Sequence, residues 1–92
     1  MKKAIYYIGW NNETHELEMD KIEKTLNAHF EGYSASEIIG YWKGSKERTL
    51  QVQVVTDSSD TELAKTAKEL CKVLKQDAVM LEIVDSNVAF IS

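Results

Sequence analysis

The sequence predicts an α+β fold with the element order β-α-β-β-α-β, and three observations predict it. Short β-branched and aromatic runs alternate with two stretches in which apolar residues recur every three to four positions. Turn signals separate these runs at Asn11-Asn12-Glu13, Gly44-Ser45-Lys46-Glu47 and Asp57-Ser58-Ser59. The 92 residues contain no proline and no low-complexity run, which leaves room for one core, so residues 1–92 read as a single domain.

Taken in order, Lys3 to Trp10 is a dense run suited to a central strand, with tyrosine or isoleucine on both faces, so its phase stays open. Met19, Ile22, Leu26 and Phe30 form one apolar helical stripe. Leu17 stands where it can pack on Ile22, and the helix is expected to end at Glu31-Gly32 with Gly32 as a left-handed cap. Glu37 to Val55 reads as two strands around a turn. Ser59 and Glu62 then have capping-box spacing, opening a helix with Leu63, Ala67, Leu70, Cys71 and Leu74 on one face and lysines on the other. Val79 to Val84 is the next strand, with Val79, Leu81 and Ile83 inward. Asn87 to Ile91 is expected either to add a short fifth strand or to cover the core. Right-handed crossovers place both helices on one face of the sheet, which is the ferredoxin-like split-βαβ arrangement with strand order fourth, first, third, second.

The hairpin can be phased. With the turn at Gly44 to Glu47, Lys43 pairs with Arg48, Tyr41 with Leu50 and Ile39 with Val52, and a loop at Ser45-Lys46 keeps the same parity. Ile39, Tyr41, Leu50, Val52 and Val54 then face the helices. Ile38, Gly40, Trp42, Thr49, Gln51 and Gln53 face the open side, with Met80 and Glu82 of the last strand. Ile38, Trp42, Gln51, Gln53 and Met80 are therefore the candidate contact residues of an open sheet face too apolar to be an indifferent surface. Packing two such faces gives a homodimer, docking of another protein is the second use, stacking of bases is a third that the missing arginines and basic balance disfavour, and a tail folded over the patch is the plain alternative.

The net charge is −4, and acids crowd Glu13, Glu16, Glu18 and Asp20. That excess disfavours direct nucleic-acid binding. It reads plainly as a helix start whose acids suit the dipole, or functionally as a patch that meets a basic partner such as a nucleic-acid enzyme. Apolar runs are too short to span a membrane, no signal-peptide core follows the start, and the lone Cys71 allows no internal disulfide, all of which suits the cytoplasm. No metal is expected, because one cysteine and the separated His15 and His29 lack zinc-ligand spacing. No cofactor motif is present either: Gly40 and Gly44 flank a strand rather than open a helix, and Gly40 reads as a close-approach position. Tyr6, Tyr7, Trp10 and Tyr33 could line a small cleft, although packing is the usual role of such a cluster in a small core.

Three segments carry a resemblance: Tyr6-Tyr-Ile-Gly-Trp10, Gly40-Tyr-Trp-Lys-Gly44 followed by Glu47, and Lys75-Gln-Asp-Ala-Val79. They resemble small uncharacterised proteins of bacteria and their phages or plasmids, with the same element rhythm. The resemblance implies a mobile-element origin and no catalytic residues. Small acidic proteins of that origin include inhibitors of host defence such as anti-CRISPR proteins. The expected function is thus a non-enzymatic protein-binding domain acting by occlusion through the open face, steered by its acids. The alternative is a small dimeric ferredoxin-like enzyme or ligand-binding protein with a pocket between helices and sheet beside His15 or His29.

Overall fold

Six elements follow one another: β1 (Lys2–Gly9), α1 (Met19–His29), β2 (Ser34–Trp42), β3 (Ser45–Thr56), α2 (Asp60–Leu74) and β4 (Met80–Asp85). The structure, a computed structural model, describes residues 1–85 and Ile91. The fifth strand or cover expected over residues 87–91 falls, Ile91 apart, outside the described residues. The strands form one antiparallel sheet in the order β2-β3-β1-β4, and the ferredoxin-like arrangement is the one the alternating periods demanded.

Pairing with β3 fixes the phase of β1. Ala4, Tyr6 and Ile8 lie opposite Val54, Val52 and Leu50, and all six are buried against Ile22 and Leu26 of α1 and Leu63, Ala67, Leu70 and Leu74 of α2. Leu81 and Ile83 of β4 join them from the other edge. Each fully buried leucine or isoleucine here contributes about 1.5–3 kcal/mol. Tyr6 is the one phenol in this core; its hydroxyl donates to the Leu63 carbonyl at 2.8 Å.

The hairpin has a different register from the expected one. Trp42 pairs with Ser45, Tyr41 with Lys46 and Ile39 with Arg48, around a two-residue loop of Lys43 and Gly44. Both loop residues have positive φ (49° and 80°), the type I′ geometry whose twist matches that of the flanking strands. The shift is an even number of residues, so every side chain keeps its face. It also lengthens the hairpin past the helix layer. Ile39 and Tyr41 do lie on the helix side, but among the described residues nothing covers them there, so Tyr41 is an exposed residue and not a core one.

The helix ends show one success and one failure of local rules. In α2, the Ser59 hydroxyl accepts from the Glu62 N–H and the Glu62 carboxylate accepts from the Ser59 N–H, closing the expected box. Those bonds from the Ser59 backbone and hydroxyl hold the Glu62 carboxyl below its usual value. In α1 the cap is Phe30 in extended backbone, so Gly32 does not provide a left-handed turn. The left-handed cap is instead Lys75 after α2 (φ 54°), where Lys75 N–H reaches Lys72 O and Gln76 N–H reaches Cys71 O. A side chain in this conformation is strained, and Lys75→Gly is expected to stabilise the chain by about 0.5–1 kcal/mol, read as a raised urea midpoint with unchanged slope.

Candidate functional site

The face of the sheet away from the helices is laid out in cross-strand rows. From the hairpin end, these pair Trp42 with Ser45, Gly40 with Glu47, and Ile38 with Thr49 and then Gly9. The next rows are Ser36, Gln51, Tyr7 and Met80, then Ser34, Gln53, Ile5 and Glu82. All five expected contact residues, Ile38, Trp42, Gln51, Gln53 and Met80, lie on this face. Trp42 and Met80 are exposed, and the other three are half-buried. Tyr7 ties the middle together: its hydroxyl accepts from Gln51 Nε2 and donates to Glu82 Oε1, each at 3.3 Å.

Two glycines shape the hairpin end of this face. A Cβ on Gly9 would stand 2.9 Å from Glu47 Oε1, and one on Gly40 would collide with the buried Thr49 Oγ1. The carboxylate of Glu47 therefore lies against Gly9, while Gly40 makes room for Thr49 and touches only the Glu47 stem. It is half-buried and, among the described residues, has no ion-pair partner. The neighbouring Arg48 is committed on the opposite face to Glu37, at 2.7 Å. A half-buried carboxylate without a cation, beside the exposed indole of Trp42, is suited to a positively charged ligand. The sequence reading missed Glu47 and Gly9. Glycines inside two different strands were the available signal.

The acidic residues occupy the loop that leaves the same end of the sheet and, for Asp20, the first turn of α1. Asn11 Oδ1 accepts from the Glu13 and Thr14 N–H groups, and Asn11 N–H closes the loop onto Glu16 O. Glu13, Glu16 and Asp20 are exposed, whereas Glu18 is half-buried and pairs with Lys21 at 3.4 Å. His15 in this loop stacks on Trp10, ring centroids 4.5 Å apart.

The aromatic cleft expected from Tyr6, Tyr7, Trp10 and Tyr33 does not form. Alternation sends Tyr6 into the core and Tyr7 to the open face, Trp10 stacks on His15, and Tyr33, past the end of α1, donates its hydroxyl to Asn27 Oδ1 within that helix. At the opposite end of the sheet, His29, Phe30, Tyr33, Gln53 and Thr56 border an open groove of about 700 Å³. The His29 ring there contacts Glu69 of α2 at 2.5 Å, so it joins the helices rather than facing the groove unpartnered.

Comparison with known proteins gives this geometry a context. A family model described as S-adenosylmethionine lyase family matches residues 9–92. Compared with curated protein sequences, the chain finds no match. Among solved structures it is similar to a DUF3240 family protein from Shewanella baltica OS155, with TM-score 0.69 and 17% identity over 99% of this chain and 97% of that one. It is similar as well to a phage S-adenosylmethionine lyase in its apo state, with TM-score 0.65 and 18% identity over 89% of this chain and 78% of the other. The phage lyase in complex with S-methyl-5′-thioadenosine matches over the same shares with TM-score 0.56 and 18% identity. At such identities these structures support the fold alone.

Proposed function

The chain belongs to the S-adenosylmethionine lyase family, and from that membership we propose that it cleaves S-adenosylmethionine and releases S-methyl-5′-thioadenosine. The observation that carries the site is the half-buried Glu47 carboxylate against Gly9. The substrate brings two cationic centres, a sulfonium and an α-ammonium, to which such a carboxylate is complementary.

The chemistry asks little of the protein. The bond between sulfur and the γ-carbon of the methionine part breaks, and its electron pair passes to sulfur, which becomes neutral. Without water, the four-carbon remainder satisfies its γ-carbon from within, its own carboxylate oxygen closing a five-membered lactone. The protein then has to hold the substrate folded so that carboxylate and γ-carbon meet, and orientation of this kind is a large catalytic term. Glu47 holds the amino-acid end, Thr49 and Gln51 lie in reach along the same strand, and Trp42 offers a ring face to the cation or the base.

Depletion of S-adenosylmethionine would also disarm host enzymes that require it, including restriction systems that use it as a cofactor. This accords with a phage-related family and gives inhibition by substrate removal instead of occlusion. The second reading is occlusion of a host-defence protein, of the anti-CRISPR kind or another basic nucleic-acid enzyme, through the exposed Trp42 and Met80. No helix among the described residues is long and apolar enough to cross a membrane.

Incubation of the purified chain with S-adenosylmethionine, followed by chromatography and mass spectrometry, separates the two readings. The expected result is S-methyl-5′-thioadenosine and homoserine lactone appearing in equal amounts, well above a protein-free control. Substrate that decays no faster than in that control would overturn the lyase reading.

A further inference from the structure

The Glu47 carboxylate has its place because Gly9 leaves room for it, so the position of the Gly9 backbone decides where the charge lies. Gly9 is the last residue of β1, and the sheet holds it from one side only. Pairing of β1 with β4 stops at Tyr7 and Met80, which leaves Ile8 and Gly9 beyond the end of β4. Backbone groups alternate sides along a strand. The two-residue loop makes Trp42 and Ser45 a hydrogen-bonded pair, so Thr49 turns its N–H and C=O towards β2. Its partner Gly9 then turns its own groups away from β3, to the side where β4 has ended. Glycine also restrains its own backbone less than any other residue, so a strand end built on it is easily displaced.

Gln76 supplies the missing partner. Its Nε2 donates to the Gly9 carbonyl at 2.7 Å, in a half-buried setting and from 67 residues along the chain. The side chain thus stands where a longer β4 would have paired. Gln76 is itself fixed by the end of α2. Lys75 takes the left-handed conformation there, and the Gln76 N–H donates to the Cys71 carbonyl at 2.9 Å. A continuous line of contacts therefore runs from the α2 cap through Gln76 to Gly9, and from Gly9 to the Glu47 carboxylate.

We propose that Gln76 is a positioning residue of the Glu47 site: by holding the end of β1, it fixes where the carboxylate meets the substrate. This role rests on the lyase reading of that site, and adds to it a residue from outside the sheet. A displaced carboxylate keeps its charge, so the α-ammonium still binds. The substrate's own carboxylate is then no longer aimed at the γ-carbon, and the loss falls on kcat more than on KM.

Methionine has nearly the length and volume of glutamine and lacks the donor, so Q76M removes the bond alone. Its kcat/KM for S-adenosylmethionine is expected to fall about 10-fold, mostly in kcat, with an unchanged far-ultraviolet circular dichroism spectrum. Q76E, which keeps the shape and replaces the donor with an acceptor, should lose at least as much. In an E47Q background Q76M should cost less than about 2-fold, because the charge that Gln76 positions is already gone. Equal losses in the two backgrounds overturn the proposal, since a general defect or a direct contact with substrate would produce them. An unchanged kcat/KM in Q76M overturns it as well. Nuclear magnetic resonance of the chain without substrate separates this role from the lyase reading. The Gly9 amide and Glu47 side-chain resonances should shift in Q76M, and resonances that stay in place overturn the tie between them. A parent chain that cleaves no substrate overturns the lyase reading, and the resonances then decide the tie alone: shifted, it stands; unshifted, it falls.

Discussion

The E47Q variant is expected to cleave S-adenosylmethionine with a kcat/KM about 100-fold below that of the parent chain, and to keep its fold. Glutamine preserves the length and shape that lie against Gly9, and removes only the charge. Where that charge is useful follows from the reaction. Cleavage discharges the sulfonium, so a carboxylate held against sulfur would stabilise the starting cation more than the transition state and slow the step. The α-ammonium keeps its charge throughout. A carboxylate facing it binds substrate and transition state alike and anchors the end whose own carboxylate must reach the γ-carbon. A charge-assisted hydrogen bond of this kind is worth about 1.5–3 kcal/mol, and loss of orientation adds to it. Stability should change by less than about 0.5 kcal/mol, because among the described residues Glu47 has no ion pair to break. E47D retains the charge but draws it back by one methylene, and should fall between the two. An unchanged kcat/KM in E47Q, with a normal spectrum and thermal midpoint, would remove Glu47 from the site.

The topology was legible because periodicity alone separates strands from helices here, and the crossover rule then leaves one strand order. The open face was legible for a narrower reason: parity survives any even shift of register, so Trp42 and Gln51 fell on the right side despite wrong partners. The register itself was hidden. It is set by a Lys-Gly pair taking positive φ at both positions, and lysine gives no warning of that conformation. Tyr41 was consequently placed in the core when it stands on the exposed hairpin. Gly32 looked like a cap because glycine after an apolar stripe usually is one, whereas Phe30 simply leaves α1 in extended backbone. Glu47 read as a turn residue. Its setting appears only when β1 pairs with β3 and brings Gly9 beside it from far along the chain, a juxtaposition that no local pattern encodes.

Tyr6 should govern the alkaline limit of stability. Its side chain is fully buried between sheet and helices, near the ring of Phe30 at 6.2 Å, and its hydroxyl donates to Leu63 O. Burial pushes the phenol up from 10 to about 12, with a hydrogen bond to Thr66 opposing the shift. Since the unfolded chain ionises this group first, the stability it protects is complete below pH 10. It is then lost as pH rises from 10 towards 12, amounting to about 2–3 kcal/mol across that window. For a domain of this size that is a large part of the whole. Y6F removes the titrating group and sacrifices one buried hydrogen bond, so at pH 8 it should be less stable by about 1 kcal/mol. Y6A removes the ring as well and should cost about 3–5 kcal/mol, enough to unfold much of the population. Urea midpoints taken from pH 8 to 12 check all three. The parent chain and Y6F should converge and then cross as pH rises, because only the parent carries the phenol that must ionise. Parallel curves, with both chains losing stability at the same rate above pH 10, would show that other groups set the alkaline limit.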